Sequence, residues 1–164
     1  MSNPRSQRPL IRHLLTTACL ALGLVVAACG SSFEAATPPG FVELEDDRSY
    51  DYRATTADGL VIAVREVEHE PQGELSFWMR AIENQLRRRG GYALLETRDV
   101  KTNSGAKGKQ LRFGHDEHGK PHLYTVTIFV TDDSIFLMEA GGSKKLMEKH
   151  ASQVDWAVRN LVID

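Results

Sequence analysis

Residues 50–68, YDYRATTADGLVIAVREVE, decide the fold. Tyr50, Tyr52 and Ala54 alternate with polar residues, Thr56-Ala57-Asp58-Gly59 is a turn signal, and the β-branched run from Leu60 to Glu68 answers it. Two period-2 segments joined by a glycine turn make an antiparallel hairpin, and the rest of the chain has to bury that hairpin's apolar face.

On the C-terminal side, Pro71-Gln72-Gly73 stops the sheet. Leu75, Trp78, Met79, Ile82 and Leu86 then fall on one helical stripe, with Glu83 off it. Arg87, Arg88 and Arg89 fill the last turn before Gly90-Gly91. Cations there oppose the negative end of the helix dipole and glycine accepts the left-handed cap, although three arginines also form a candidate patch for an acidic partner. Tyr92–Val100 returns as a strand. A polar glycine loop over 101–108 follows, and then Lys109–His115 and His122–Val130 form a second hairpin around Glu117–Pro121. Ser134–Ala140 adds another strand. Gly141-Gly142-Ser143 leads into a last helix with Leu146, His150, Val154, Ala157 or Val158, and Leu161 on one face and Ser143 as N-cap. The order is ββαββββα, an α+β fold: an antiparallel meander with two helices packed on it.

On the N-terminal side, Arg5, Arg8 and Arg12 precede an apolar run from Leu14 to Ala28. At about 15 residues it falls short of the ~20 that span a bilayer, so 1–28 reads as a cleaved signal peptide. Val26-Ala27-Ala28-Cys29-Gly30 resembles a bacterial lipobox, which makes Cys29 the lipidated N-terminus and the lipid its membrane anchor. Residues 30–40 then read as a flexible tether with a reach on the order of 18 Å, and 41–164 as a single domain. Gly30 is not aspartate, which points to the outer membrane facing the periplasm in a two-membrane host, and otherwise to the outer leaflet of the plasma membrane.

Losing residues 1–28 removes three arginines and no acid, leaving 17 of the 20 cations against 22 carboxylates, net −5. That surface excludes strong binding to nucleic acid. Cys19 leaves with the signal and Cys29 carries lipid, so the folded part has neither a disulfide nor a cysteine nucleophile.

From Tyr50-Asp51-Tyr52 through Ala57–Ile62, Arg89-Gly90-Gly91-Tyr92, Gly105–Gly108 and Ile135–Ala140 to the last helix, residues 41–163 resemble the PsbP-like α/β/α sandwich superfamily. Phe41 stands where that group often has a tryptophan. The superfamily includes the photosystem II extrinsic subunit, DcrB-type envelope lipoproteins and Eag-type chaperones of type VI secretion. The resemblance implies a non-enzymatic binding or accessory domain with an envelope protein as partner.

The candidate chemistry is sparse. His115, His118 and His122 sit within eight positions beside Asp116 and Glu117, an imidazole and carboxylate set suited to a divalent metal such as zinc or copper. Their place at a hairpin tip, where polar residues face solvent, favours a solvated turn over a metal site. Without that metal, the sequence implies no cofactor. Ser104-Gly105-Ala106-Lys107 has the S-x-x-K spacing without its companion motifs. Gly105–Gln110 lacks the spacing of a phosphate loop. The acids Glu43, Glu45, Asp46, Asp47 and Asp51 could attract calcium or a basic partner, though they have no EF-hand spacing and read as a solvated edge. Trp78 and Trp156 are expected in the core.

Overall fold

The computed structural model describes residues 32–45 and 49–164. The signal peptide, Cys29, Asp46 and Asp47 lie outside them. In chain order the elements are β1 (Phe33–Glu34), β2 (Phe41–Glu43), β3 (Tyr52–Thr56), β4 (Val61–Glu68), α1 (Leu75–Gly90), β5 (Ala93–Lys101), β6 (Lys107–Glu117), β7 (Lys120–Val130), β8 (Ser134–Ser143), α2 (Lys144–Lys149), α3 (Ala151–Asn160) and β9 (Val162–Ile163).

Seven strands form one antiparallel sheet in the order β2-β3-β4-β8-β7-β6-β5. Strand alternation sends Ile62, Val64, Leu123, Phe129, Phe136 and Met138 to one face, where Met147, Val154, Ala157 and Val158 of the C-terminal helices cover them. Leu111, Phe113, Val126, Ile128, Ile135 and Leu137 point the other way. There they meet Leu75, Trp78, Met79, Ile82 and Leu86, the expected stripe of α1. The α+β sandwich read from the sequence is the fold.

Local chemistry accounts for the turns. Gly59 takes φ +94°, while the Thr56 hydroxyl donates to Asp58 at 2.6 Å and accepts from the Leu60 N–H at 2.9 Å. Gly91, at φ +65°, caps α1 behind the three arginines.

Four expectations need correction. Residues 32–40 are no free tether. Phe33 is buried and pairs opposite Ile163, its ring meets Phe136 edge-on at 5.9 Å, and Thr37 accepts a hydrogen bond from the Tyr52 hydroxyl. Burial of this large aromatic side chain in the core cluster with Phe136 and Leu161 opposes the entropy lost in ordering the short segment. Tyr50 does not continue the row of Tyr52 and Ala54, because the strand begins at Tyr52 and Tyr50 lies against Arg53 and Arg65. Gly141-Gly142-Ser143 does not leave the sheet but extends β8 opposite Tyr124, Leu123 and His122. The last helix is broken at His150, which ends α2 and begins α3; Ser143 caps α2 as expected, accepting from the Leu146 N–H.

Asp58 ties that break to the β3–β4 turn, accepting from Lys149 at 2.7 Å and facing His150 Nε2 at 3.1 Å. The Lys149 ammonium first, then Thr56 and His150, hold its carboxyl well below its ordinary value of 3.8. A depressed carboxyl stabilises the fold above its unfolded pKa, and that contribution disappears as pH falls through the folded one. Asp58→Asn is therefore expected to lower Tm at neutral pH, with the gap to wild type closing below about pH 4. Thermal melts across that range check it, and a gap independent of pH would remove the carboxylate from the account.

Candidate functional site

The helices α2 and α3 cover the sheet incompletely. Between them and β5, β6 and β7 lies a groove of about 390 Å³. Met147, Ala151 and Val154 form its apolar wall, and Gln110 and Thr125 its floor. Glu96, Arg112 and Glu148 stand at the rim. Past Arg112 and Glu148 it runs into a shallower trough of about 530 Å³, which reaches Leu95, Leu123, His115 and His122.

One wall is held by a polar relay. Gln110 donates to the Thr127 hydroxyl at 2.8 Å and accepts from Arg98 Nε at 2.8 Å, and the other end of Arg98 pairs with Asp155 of α3. Gln110 and Thr127 are buried, so each donor needs its acceptor, and the relay fixes how far α3 stands from the sheet. At the trough, a bulge in β5 between Leu94 and Glu96 turns Leu95 outward over Gly114, and 58% of Leu95 is exposed. An apolar wall and an outward leucine within a charged rim suit recognition of another molecule.

The histidine hairpin closes more tightly than expected. Glu117 pairs with Lys120 across a two-residue turn, His118 at φ +53° and Gly119 at φ +77°, and Asp116 accepts from the Gly119 N–H at 2.7 Å. His115 and His122 are directly opposite, but His115 lies against the Tyr92 ring at 4.9 Å and His122 Nδ1 faces the Lys120 carbonyl at 3.0 Å. His118 is held in the turn, so the three do not converge. Among the described residues, no group of three or more His, Cys, Asp or Glu is placed to hold a metal ion.

Arg87, Arg88 and Arg89 are exposed on α1, across the sheet from the groove, and Arg87 pairs with Glu83 at 3.1 Å. The Ser104 hydroxyl meets Thr102 at 2.8 Å in a loop pinned to α3 by Asn103 N–H donating to the Arg159 carbonyl at 2.7 Å. Trp78 packs into the α1 core, and Trp156 is half-buried.

Sequence reasoning passed over His69. It is buried and joins the segment before α1 to the β7–β8 turn, with Nδ1 2.7 Å from the Thr131 carbonyl and Nε2 accepting from the Gly73 N–H. It also passed over Glu139, a buried carboxylate in the middle of β8. A single acid inside Ile135–Ala140 was the signal available.

No family model matches the chain, and no curated protein sequence matches it. Solved structures do. LpqN of Mycobacterium tuberculosis, involved in cell envelope biogenesis, is 11% identical, with 84% of this chain and 87% of that one covered and a TM-score of 0.70. The Ran-binding protein Mog1p of Saccharomyces cerevisiae is 13% identical over 80% of this chain and 90% of its own, TM-score 0.59. Cyanobacterial PsbP (CyanoP) from Synechocystis sp. PCC 6803 is 10% identical over 87% and 99%, TM-score 0.54. Likeness at these identities is likeness of fold, and the fold is the PsbP- and Mog1-like sandwich.

Proposed function

We propose that the chain is a lipid-anchored accessory protein of a bacterial cell envelope, whose domain binds a partner protein in the groove under α2 and α3 and catalyses no reaction. The observation that carries this reading is the groove itself, an apolar wall with a charged rim held open by the Arg98 relay. Two proteins that share the fold support it, since LpqN is described as involved in envelope biogenesis and Mog1p as Ran-binding.

Anchoring at Cys29 has a steric consequence. Only Gly30, Ser31 and Ser32 separate that cysteine from the buried Phe33, a span of about 14 Å when extended. The domain then rides on the membrane surface, and its partner is an envelope protein within that reach.

Crosslinking in intact cells with the tagged full chain tests both parts, comparing wild type, Cys29→Ala and Ala151→Arg. The expected result is one partner captured by wild type, reduced with Cys29→Ala and lost with Ala151→Arg, which places a cation against the apolar wall. Capture unaffected by Ala151→Arg would sink the groove, and capture unaffected by Cys29→Ala would sink the anchor.

A further inference from the structure

Strand β5 ends the seven-stranded sheet, with β6 on one side and no strand on the other among the described residues. Its alternation is fixed where the ladder closes: the Thr102 N–H donates to the Ala106 carbonyl at 2.9 Å, one step beyond the pair of Lys101 and Lys107. Antiparallel ladders alternate hydrogen-bonded and non-bonded pairs, so Glu96, Arg98 and Val100 also turn their N–H and C=O groups to β6. Those of Thr97, Asp99 and Lys101 point away from the sheet. They make a row of donors and acceptors at steps of about 6.8 Å, on residues that are all exposed.

This edge borders both hollows on the α3 side. Glu96 and Arg98 line the groove, and Arg98, Asp99, Val100 and Lys101 line a cleft of about 200 Å³ against Asp155 and Arg159 of α3. Arg98 pairs with Asp155, and Asp99 pairs with Lys109 at 2.6 Å. That leaves Lys101 and Arg159, both exposed, as cations of the cleft without an ion pair among the described residues. A second copy of the chain does not fit the edge. Antiparallel self-pairing centred on a charged residue sets that charge against itself, and centred on Thr97 it meets the bulge at Leu95. Centred on Val100 it runs into Asn103, whose N–H is already given to the Arg159 carbonyl.

We infer that the partner protein adds an extended segment of its own to β5, its backbone bonding to Thr97, Asp99 and Lys101 and an acidic side chain lying at Lys101 and Arg159. The inference rests on the groove being a partner site and gives the mode of contact. Side chains of the segment on the α3 side fall beside Glu96, Arg98 and Val100, along the mouths of the groove and the cleft. Main-chain hydrogen bonds supply affinity, and the hollows supply selectivity.

The test is residue-resolved hydrogen exchange on the full chain in detergent micelles, free and crosslinked to the partner that wild type captures in intact cells. The amides of Thr97, Asp99 and Lys101 are expected to exchange at least about tenfold more slowly in the complex, while those of Glu96, Arg98 and Val100 are slow in both. Two variants separate backbone from side chain. Asp99→Pro deletes an outward N–H, leaves the bonds to β6 in place and is expected to cut capture about tenfold. Asp99→Ala keeps that N–H and is expected to capture as wild type does. Slow exchange at Glu96, Arg98 and Val100 in free Asp99→Pro shows that the strand has formed. A complex that slows Ala151 and Val154 but no outward amide of β5 would overturn the strand addition and leave the groove reading standing. Capture undiminished by Asp99→Pro, or lost with Asp99→Ala, would overturn it too, and a captured species that is a second copy of the chain would overturn the occupant. Failure of wild type to capture any partner would sink the groove reading and this inference together.

Discussion

Phe33→Ala is expected to destabilise the domain by about 3 to 5 kcal/mol, the range for removing a buried phenylalanine. That is a large share of the roughly 5 to 15 kcal/mol that holds a domain of this size together. The ring is 5% exposed and stands edge-on to Phe136, whose own exposure is 1%. Around it the strand pairs Phe33 with Ile163 and Glu34 with Val162, and the Asp164 N–H donates to the Ser32 carbonyl at 3.1 Å. The substitution therefore opens a cavity and also loosens the clasp between the first and last described segments. Val42→Ala is the control: it lies a few residues away, is 68% exposed, and is expected to change stability by no more than about 0.5 kcal/mol. Urea melts of the two variants decide the matter. If Phe33→Ala is as mild as Val42→Ala, residues 32–40 are the free tether that the sequence suggests.

That segment shows where sequence reading stops. The hairpin over 50–68 and the α1 stripe are legible because their signals are local: alternation and a glycine turn in the first, a 3.6-residue period and a capping glycine in the second. A two-residue strand has no period, and its partner at Val162–Ile163 lies at the far end of the chain, so Phe33 reads as one aromatic in a Ser-, Ala- and Pro-rich run. The groove is illegible for a related reason. Leu146, Val154, Ala157 and Leu161 fit one helical register in the sequence, but the helix is interrupted at His150, and His150 contacts Asp58 of the first hairpin, a partner 92 positions away that no local pattern announces. Glu139 was within reach, since a single acid in an apolar strand is either an error of assignment or a group with partners. The histidines show the limit of spacing as a signal. Spacing put three imidazoles close together, and a two-residue turn then held His118 apart from the other two.

Gly108 carries the second large effect. Its neighbourhood, Gly105-Ala106-Lys107-Gly108-Lys109, has the look of a phosphate-binding loop, where glycines bring backbone N–H groups close to an anion. The structure gives Gly108 another task. It is buried at the start of β6, opposite Phe129, and an added Cβ would stand 2.4 Å from the Ile128 carbonyl oxygen and 2.7 Å from the Phe129 ring. Neither neighbour can yield, because Ile128 and Phe129 belong to a strand paired on both sides and are themselves 0% and 1% exposed. Gly108→Ala is therefore expected to cost about 3 kcal/mol or more, the upper end of overpacking, through separation of β6 from β7. Gly105→Ala provides the contrast. Nothing lies within 4 Å of its Cβ, and its penalty is limited to the φ of +107°, about 1 to 2 kcal/mol. A phosphate loop would make both glycines matter for anion binding and neither for strand packing. Chemical denaturation that ranks Gly108→Ala well below Gly105→Ala, in protein that binds no inorganic phosphate, assigns the first glycine to the sheet and the second to the turn. The reverse ranking would overturn the packing role of Gly108.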